Sequence, residues 1–226
     1  MRVSFLDPVY PLTHCPNSSG ASHAELASSF LRGGSRFFQV RAKDLPDRRI
    51  YEELQEIAAA CGRHQARFVV NDRPDLALAG AAAGVHLGQN DLPVAVARRL
   101  LGTSAIIGVS THDEQQFVAA LGEDVAYVAV GPIFESPTKP GINRPIGCEA
   151  LARLTSMTEL PVVAIGGITL RNVTEVWEAG AASAAIISDI VGSADPAARI
   201  RQYLELAANR FPPIADKLTD RETDRK

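Results

Sequence analysis

The amino-acid sequence predicts a closed (β/α)8 barrel folded as a single domain. Short apolar runs rich in Val, Ile and Phe recur along the chain, and segments with apolar residues at helical spacing separate them. Each run is too continuous for a strand with one wet face, which is how strands of a parallel sheet covered on both sides read. Roughly eight strand-then-helix units in about 200 residues fit a barrel. The alternative, an open doubly wound sheet, would carry a G-x-G-x-x-G turn after its first strand, and the chain has none.

The predicted strands are "PVYPLT" (8–13), "RFFQV" (36–40), "RFVVN" (67–71), "GVHL" (84–87), "AIIGVS" (105–110), "VAYVAV" (125–130), "PVVAIG" (161–166) and "AAIIS" (184–188). The first helix, "SHAELASSFLRGG", opens at Ser22, a good N-cap, and stops at a Gly-Gly pair. The second, "PDRRIYEELQEIAAACG", places Ile50, Leu54, Ile57 and Ala58 on one face. "PVAVARRLLG" and "LRNVTEVWEAG" end at glycine, and "DPAARIRQYLELAA" follows the last strand. Residues 1–208 form the expected barrel domain, and 209–226 a polar, charged tail without apolar periodicity that is expected to fray.

Composition narrows the function classes. With 46% hydrophobic and 22% charged residues the 226-residue chain can build a sizeable core. No apolar run approaches the roughly 20 residues that span a bilayer, and the proline-broken N-terminus does not read as a secretory signal. The net charge of −3 gives no basic field, so nucleic acid is not an expected partner. Cys15, Cys61 and Cys148 are far apart, which points away from a disulfide framework and towards a reducing, cytoplasmic setting. Homo-oligomerisation is left open.

In such a barrel the chemistry gathers at the C-terminal ends of the strands. Alternation after the second strand sends Gln39, Arg41 and Lys43 to one side, an arrangement that is costly inside a barrel without an anionic ligand. A strand end already in solvent is the plainer reading. Asn71 and Asp72 follow the third strand and Asp91 the fourth; neighbouring strands lie about 4.8 Å apart, so the two carboxylates can share a divalent cation such as Mg2+. Asp72 can equally cap the helix that starts at "RPDLALA". Ser110, Thr111 and His112 end the fifth strand, where they offer ligand groups or a cap for "DEQQFVAAL". After the sixth strand, "GPIFESPTKPG" supplies Ser136, Thr138 and Lys139, the last a mobile charge suited to phosphate. "AIGGI" with Gly167, followed by "IIS" with Ile187 and Ser188, matches the phosphate site such barrels build after strands seven and eight.

Six motifs in order, "QVRAKD", "NDRPDLALAGAAAGVHLGQND", "GVSTH", "GPIFESPTK", "AIGGI" and "IIS", resemble the thiamine phosphate synthase family over residues 8–205. That resemblance implies a (β/α)8 barrel transferase. It would join hydroxymethylpyrimidine pyrophosphate and hydroxyethylthiazole phosphate into thiamine phosphate, releasing pyrophosphate with Mg2+ as cofactor. It assigns Asp72 and Asp91 to Mg2+, and Gln39, Arg41, Lys43, Asn71, Ser110 and Lys139 to the pyrimidine pyrophosphate. Ser136, Thr138, Gly167, Ile187 and Ser188 fall to the thiazole phosphate, with Lys139, Arg41, Lys43 and Ser110 serving the chemistry. Ser136 stands where the family more often has Thr, Ala42 replaces a common Glu at an outward position, and Asp189 brings a like charge next to Ser188. A related thiazole tautomerase, using His112 for proton transfer, would not need the metal pair. A phosphate-binding sensor without activity is a second alternative. Another phosphate-binding barrel from amino-acid biosynthesis would leave "NDRPD…GQND" unexplained.

Overall fold

The computed structural model describes residues 5–15, 19–43, 45–135 and 144–210. Its strands are β1 (Val9–Pro11), β2 (Phe37–Val40), β3 (Arg67–Asn71), β4 (Gly84–Leu87), β5 (Ile106–Thr111), β6 (Tyr127–Val130), β7 (Val162–Ile165) and β8 (Ser183–Ile186). All pair in parallel, in the order β1-β8-β7-β6-β5-β4-β3-β2. A parallel bridge between Leu12 and Gln39 joins β1 to β2, and the Thr13 N–H donates to the Gln39 carbonyl at 2.9 Å. The eight strands thereby make a barrel.

Helices cover it: α1 (His23–Gly33), α2 (Asp47–His64), α3 (Pro74–Ala79), α4 (Val94–Leu101), α5 (Glu114–Leu121), α6 (Gly147–Thr155), α7 (Val173–Glu178), α8 (Ser188–Val191) and α9 (Pro196–Arg210). Ser22 caps α1 in a full capping box: its hydroxyl accepts the Glu25 N–H, and the Glu25 carboxylate accepts the Ser22 N–H. Among the described residues no helix is long and apolar enough to cross a membrane.

Strand alternation sorts the core into two layers. Phe38, Val40, Val70, Val85, Ile107, Val128 and Ala164 pack outwards against the helices. Tyr10, Phe37, Val69, Ile106, Tyr127, Val163 and Ala185 fill the barrel. Ala42 sits with the outer layer, so its departure from the family pattern leaves the barrel interior untouched.

Several strand boundaries shift by one or two residues from the sequence reading, among them those of the sixth and eighth strands. The eighth strand ends at Ile186, so Ile187 precedes and Ser188 opens the one-turn helix α8 instead of ending a strand. The sixth strand begins at Tyr127, two residues after the apolar run does, because an apolar run marks burial and not ladder pairing.

Candidate active site

Arg41 and Lys43 follow β2, Asn71 ends β3 with Asp72 next, Asp91 lies beyond β4, and Ser110 sits within β5. Gly167 follows β7. Ser136, Thr138 and Lys139 lie outside the described residues. The stems on either side of them are tied together by N–H to carbonyl bonds from Ile146 to Pro132 (2.9 Å) and from Gly147 to Ile133 (3.1 Å). Ile133 and Phe134 bond onwards to Ile165 and Gly166, so the stems stand beside the β7 exit.

Asp72, Lys43 and Asp91 meet at the mouth. Asp72 adopts φ +65°, and its N–H donates to the His86 carbonyl at 2.8 Å. Its carboxylate pairs with Lys43 Nζ at 2.9 Å. Asp91 Oδ2 accepts the Gly88 N–H at 2.6 Å, and the Asp91 carboxyl is close enough to Asp72 to feel its charge. Burial and then the neighbouring Asp72 push the Asp91 carboxyl above the usual carboxylate range, against the pull of the Gly88 N–H and Lys43. Capping does not account for Asp72, because the N-cap of α3 is Arg73, with no side-chain cap. No group of three or more His, Cys, Asp or Glu converges among the described residues. A cation here would draw two ligands from the protein and the others from water and phosphate, a donor set that suits Mg2+.

Beneath the mouth runs a buried polar chain that the sequence reading missed. Gln39 Nε2 donates to Tyr10 Oη at 2.9 Å, and Tyr10 Oη lies 2.8 Å from Tyr127 Oη. Tyr127 Oη is 2.9 Å from His86 Nδ1, and His86 Nε2 is 2.8 Å from Ser110 Oγ. Burial drives the His86 imidazolium pKa down to about 4, the Asp72 charge opposing it, so the ring is neutral. Gln39 Oε1 is buried without a hydrogen-bond partner among the described residues. The chain's one sequence signal is Gly108, since a Cβ there would fall on the Tyr127 ring.

A second network orients Arg41. Thr13 Oγ1 accepts the Arg41 N–H at 3.0 Å and lies 2.7 Å from His23 Nδ1, while the Arg41 guanidinium donates to His14 Nδ1 at 2.9 Å. The Asn71 side chain makes no hydrogen bond among the described residues. His112 Nδ1 donates to the Gly131 carbonyl at 2.7 Å, and α5 is capped by Asp113, not by Ser110, Thr111 or His112.

Gly166 and Gly167 have φ +103° and +63°, and side chains there would strike Pro132 and the Glu135 carbonyl. Close packing against the β6 exit therefore requires both glycines, whatever they bind. Asp189 turns away from the mouth: it accepts from Tyr203 Oη at 2.6 Å and pairs with Arg199 at 3.2 Å, both on α9. Its charge is neutralised there and does not oppose an anion at Ser188.

Parallel strands closed into a barrel, with charged and amide side chains collected at their C-terminal ends, define a (β/α)8 barrel of the enzyme class. A family model described as thiamine monophosphate synthase matches residues 9–190, and the chain belongs to that family. The "Putative thiamine-phosphate synthase" of Geobacter sulfurreducens is 39% identical over 202 residues, 89% of this chain and 95% of that protein. The "Thiamine biosynthesis bifunctional protein ThiM/ThiE" of Symbiobacterium thermophilum is 43% identical over 187 residues, 83% of this chain but 39% of that protein's length. The solved thiamine phosphate pyrophosphorylase of Pyrococcus furiosus superposes with a TM-score of 0.82 at 30% identity, over 90% of this chain and 96% of that one.

Proposed function

We propose that this protein is a thiamine-phosphate synthase, a transferase acting on hydroxymethylpyrimidine pyrophosphate and hydroxyethylthiazole phosphate. The observation that carries the reading is the meeting of Lys43, Asp72 and Asp91 at one barrel mouth in a chain of this family. Two carboxylates pressed together and a single lysine make an incomplete charge set that a divalent cation and a pyrophosphate complete.

Asp72 and Asp91 would hold Mg2+, which when bound supplies positive charge to the leaving pyrophosphate. Arg41 and Lys43 add charge from β2, and Lys139 from the loop after β6. As the carbon–oxygen bond breaks, negative charge grows on the pyrophosphate and these cations stabilise it. The pyrimidine-stabilised cation that remains is captured by the thiazole nitrogen, forming the carbon–nitrogen bond without loss of a proton. Gln39, Asn71 and Ser110 orient the pyrimidine half. Gly167, Ile187 and Ser188, with Ser136 and Thr138, hold the thiazole phosphate. The N–H groups of Gly167 and Ser188 make no hydrogen bond among the described residues, which supports an anion there. His112 donates Nδ1–H to the Gly131 carbonyl, which leaves Nε2 as the ring's acceptor. What favours the synthase is Lys43 beside Asp72 and Asp91, a charge set that a tautomerase does not need. The cytoplasm is the expected setting for such a reaction.

The test is incubation of both substrates with and without Mg2+, read as thiamine phosphate and pyrophosphate formed. Product with Mg2+ alone supports the reading; turnover of a thiazole carboxylate phosphate without thiamine phosphate overturns it. Asp91→Asn sharpens the test, because its Oδ1 still accepts the Gly88 N–H while one negative charge disappears. Activity should fall about hundredfold. The metal-free variant should melt higher than wild type, by about 2–4 °C for each kcal/mol of repulsion relieved. A lower melting temperature would show that the two carboxylates do not repel.

A further inference from the structure

The five side chains under the mouth come from five strands: Gln39 from β2, Tyr10 from β1, Tyr127 from β6, His86 from β4 and Ser110 from β5. We propose that Gln39–Tyr10–Tyr127–His86–Ser110 is one directional hydrogen-bond chain that holds His86 as the Nε2–H tautomer and turns the Ser110 hydroxyl proton towards the ligand. Tyr10, Tyr127 and His86 are then positioning residues for two groups of the site, Gln39 on β2 and Ser110 on β5.

The direction follows from counting protons. Tyr10 Oη accepts from Gln39 Nε2, and its own proton faces one remaining acceptor, Tyr127 Oη. Tyr127 therefore donates its proton onwards, to His86 Nδ1. A neutral imidazole carries one N–H, which must be at Nε2, where it donates to Ser110 Oγ. Ser110, having accepted, has its hydroxyl proton free for a ligand. The chain ends in an acceptor at one side, Gln39 Oε1, which has no partner among the described residues, and a donor at the other. Bonds in such a chain polarise one another, so the two ends are coupled. Geometry supports the rigidity this needs. The His86 and Tyr127 rings stack at 5.5 Å with 21° between planes, and the absent side chain of Gly108 leaves the Tyr127 ring its place.

The catalytic part of this inference rests on the synthase reading, but its first test does not. Nitrogen NMR of 15N-histidine-labelled protein, without substrates, reads the tautomer of each neutral ring. The expected result is Nε2–H for His86 in wild type and a mixture of tautomers in Tyr127→Phe, which removes the donor to Nδ1. An Nδ1–H tautomer in wild type reverses the chain and overturns the proposal. The second test is kinetic. Tyr127→Phe should lower kcat about tenfold, the loss of one buried hydrogen bond, with KM little changed. Tyr127→Phe combined with Ser110→Ala should be no slower than Ser110→Ala alone. His86→Gln, whose amide N–H can still reach Ser110, should recover activity that His86→Phe loses. Additive effects of the two substitutions, or equal losses in the Gln and Phe variants, would reduce the chain to packing.

Discussion

Gly108 shows how much one missing side chain decides. It sits in the middle of β5 and faces the barrel interior, where Tyr127 of the neighbouring strand needs its space. Gly108→Ala would force the phenol aside, breaking its contacts with Tyr10 and His86 together. The expected cost is about 1–3 kcal/mol of stability, the usual range for overpacking a filled core. Urea unfolding measures it; an unchanged midpoint would mean that the ring has room to retreat. Residues of this kind are hard to read in sequence. His86 and Tyr127 look like ordinary members of the apolar runs "GVHL" and "VAYVAV", and nothing local marks them as partners 41 residues apart. Asp72 and Asp91 were legible because acidic residues just beyond apolar runs stand out.

At the scale of elements, local signals mark helix caps better than strand boundaries. The Ser22 N-cap is legible in the sequence, and α1 begins directly after it; the reciprocal bond from Glu25 is a finding of the structure. Ser22→Ala removes the acceptor for the Glu25 N–H and should cost about 1 kcal/mol, read as a shift in the urea midpoint with the slope unchanged. No shift would mean that water replaces the cap. The end of β8 was misplaced because "IIS" continues the apolar run into α8, and only ladder pairing to β1 and β7 separates strand from turn. In the sequence, Asp189 is an awkward charge beside Ser188. Its partners, Arg199 and Tyr203, come from a helix later in the chain, so the reason it is harmless was not local.

For the molecule as a whole, buried neutral histidine ties stability to pH. His23 is 2% exposed and bonded to Thr13. Burial lowers its pKa below the usual value, the charges of His14 and Arg41 add to that, and Glu53 of α2 opposes it. A group depressed in the folded state takes up protons more readily when unfolded. Its contribution to stability is complete above about pH 6.5 and is lost as the pH falls through the lowered folded value. Unfolding free energy should therefore fall as the pH drops below about 6.5. The drop should shrink in His23→Asn, whose amide can still bond the Thr13 hydroxyl. Equal pH dependence in the two proteins would assign the effect to other groups.

The sequence by itself determined the parallel barrel, the order of its elements and the strand ends where charged side chains collect. Periodicity, caps and the position of polar residues after apolar runs are local properties, and a (β/α)8 topology turns strand order directly into place. Tertiary structure alone decided other meetings: Lys43 with Asp72, and the five-residue chain from Gln39 to Ser110. Those contacts join strands remote in sequence. They depend on barrel closure and register, which bring residues 10 and 127 to 2.8 Å.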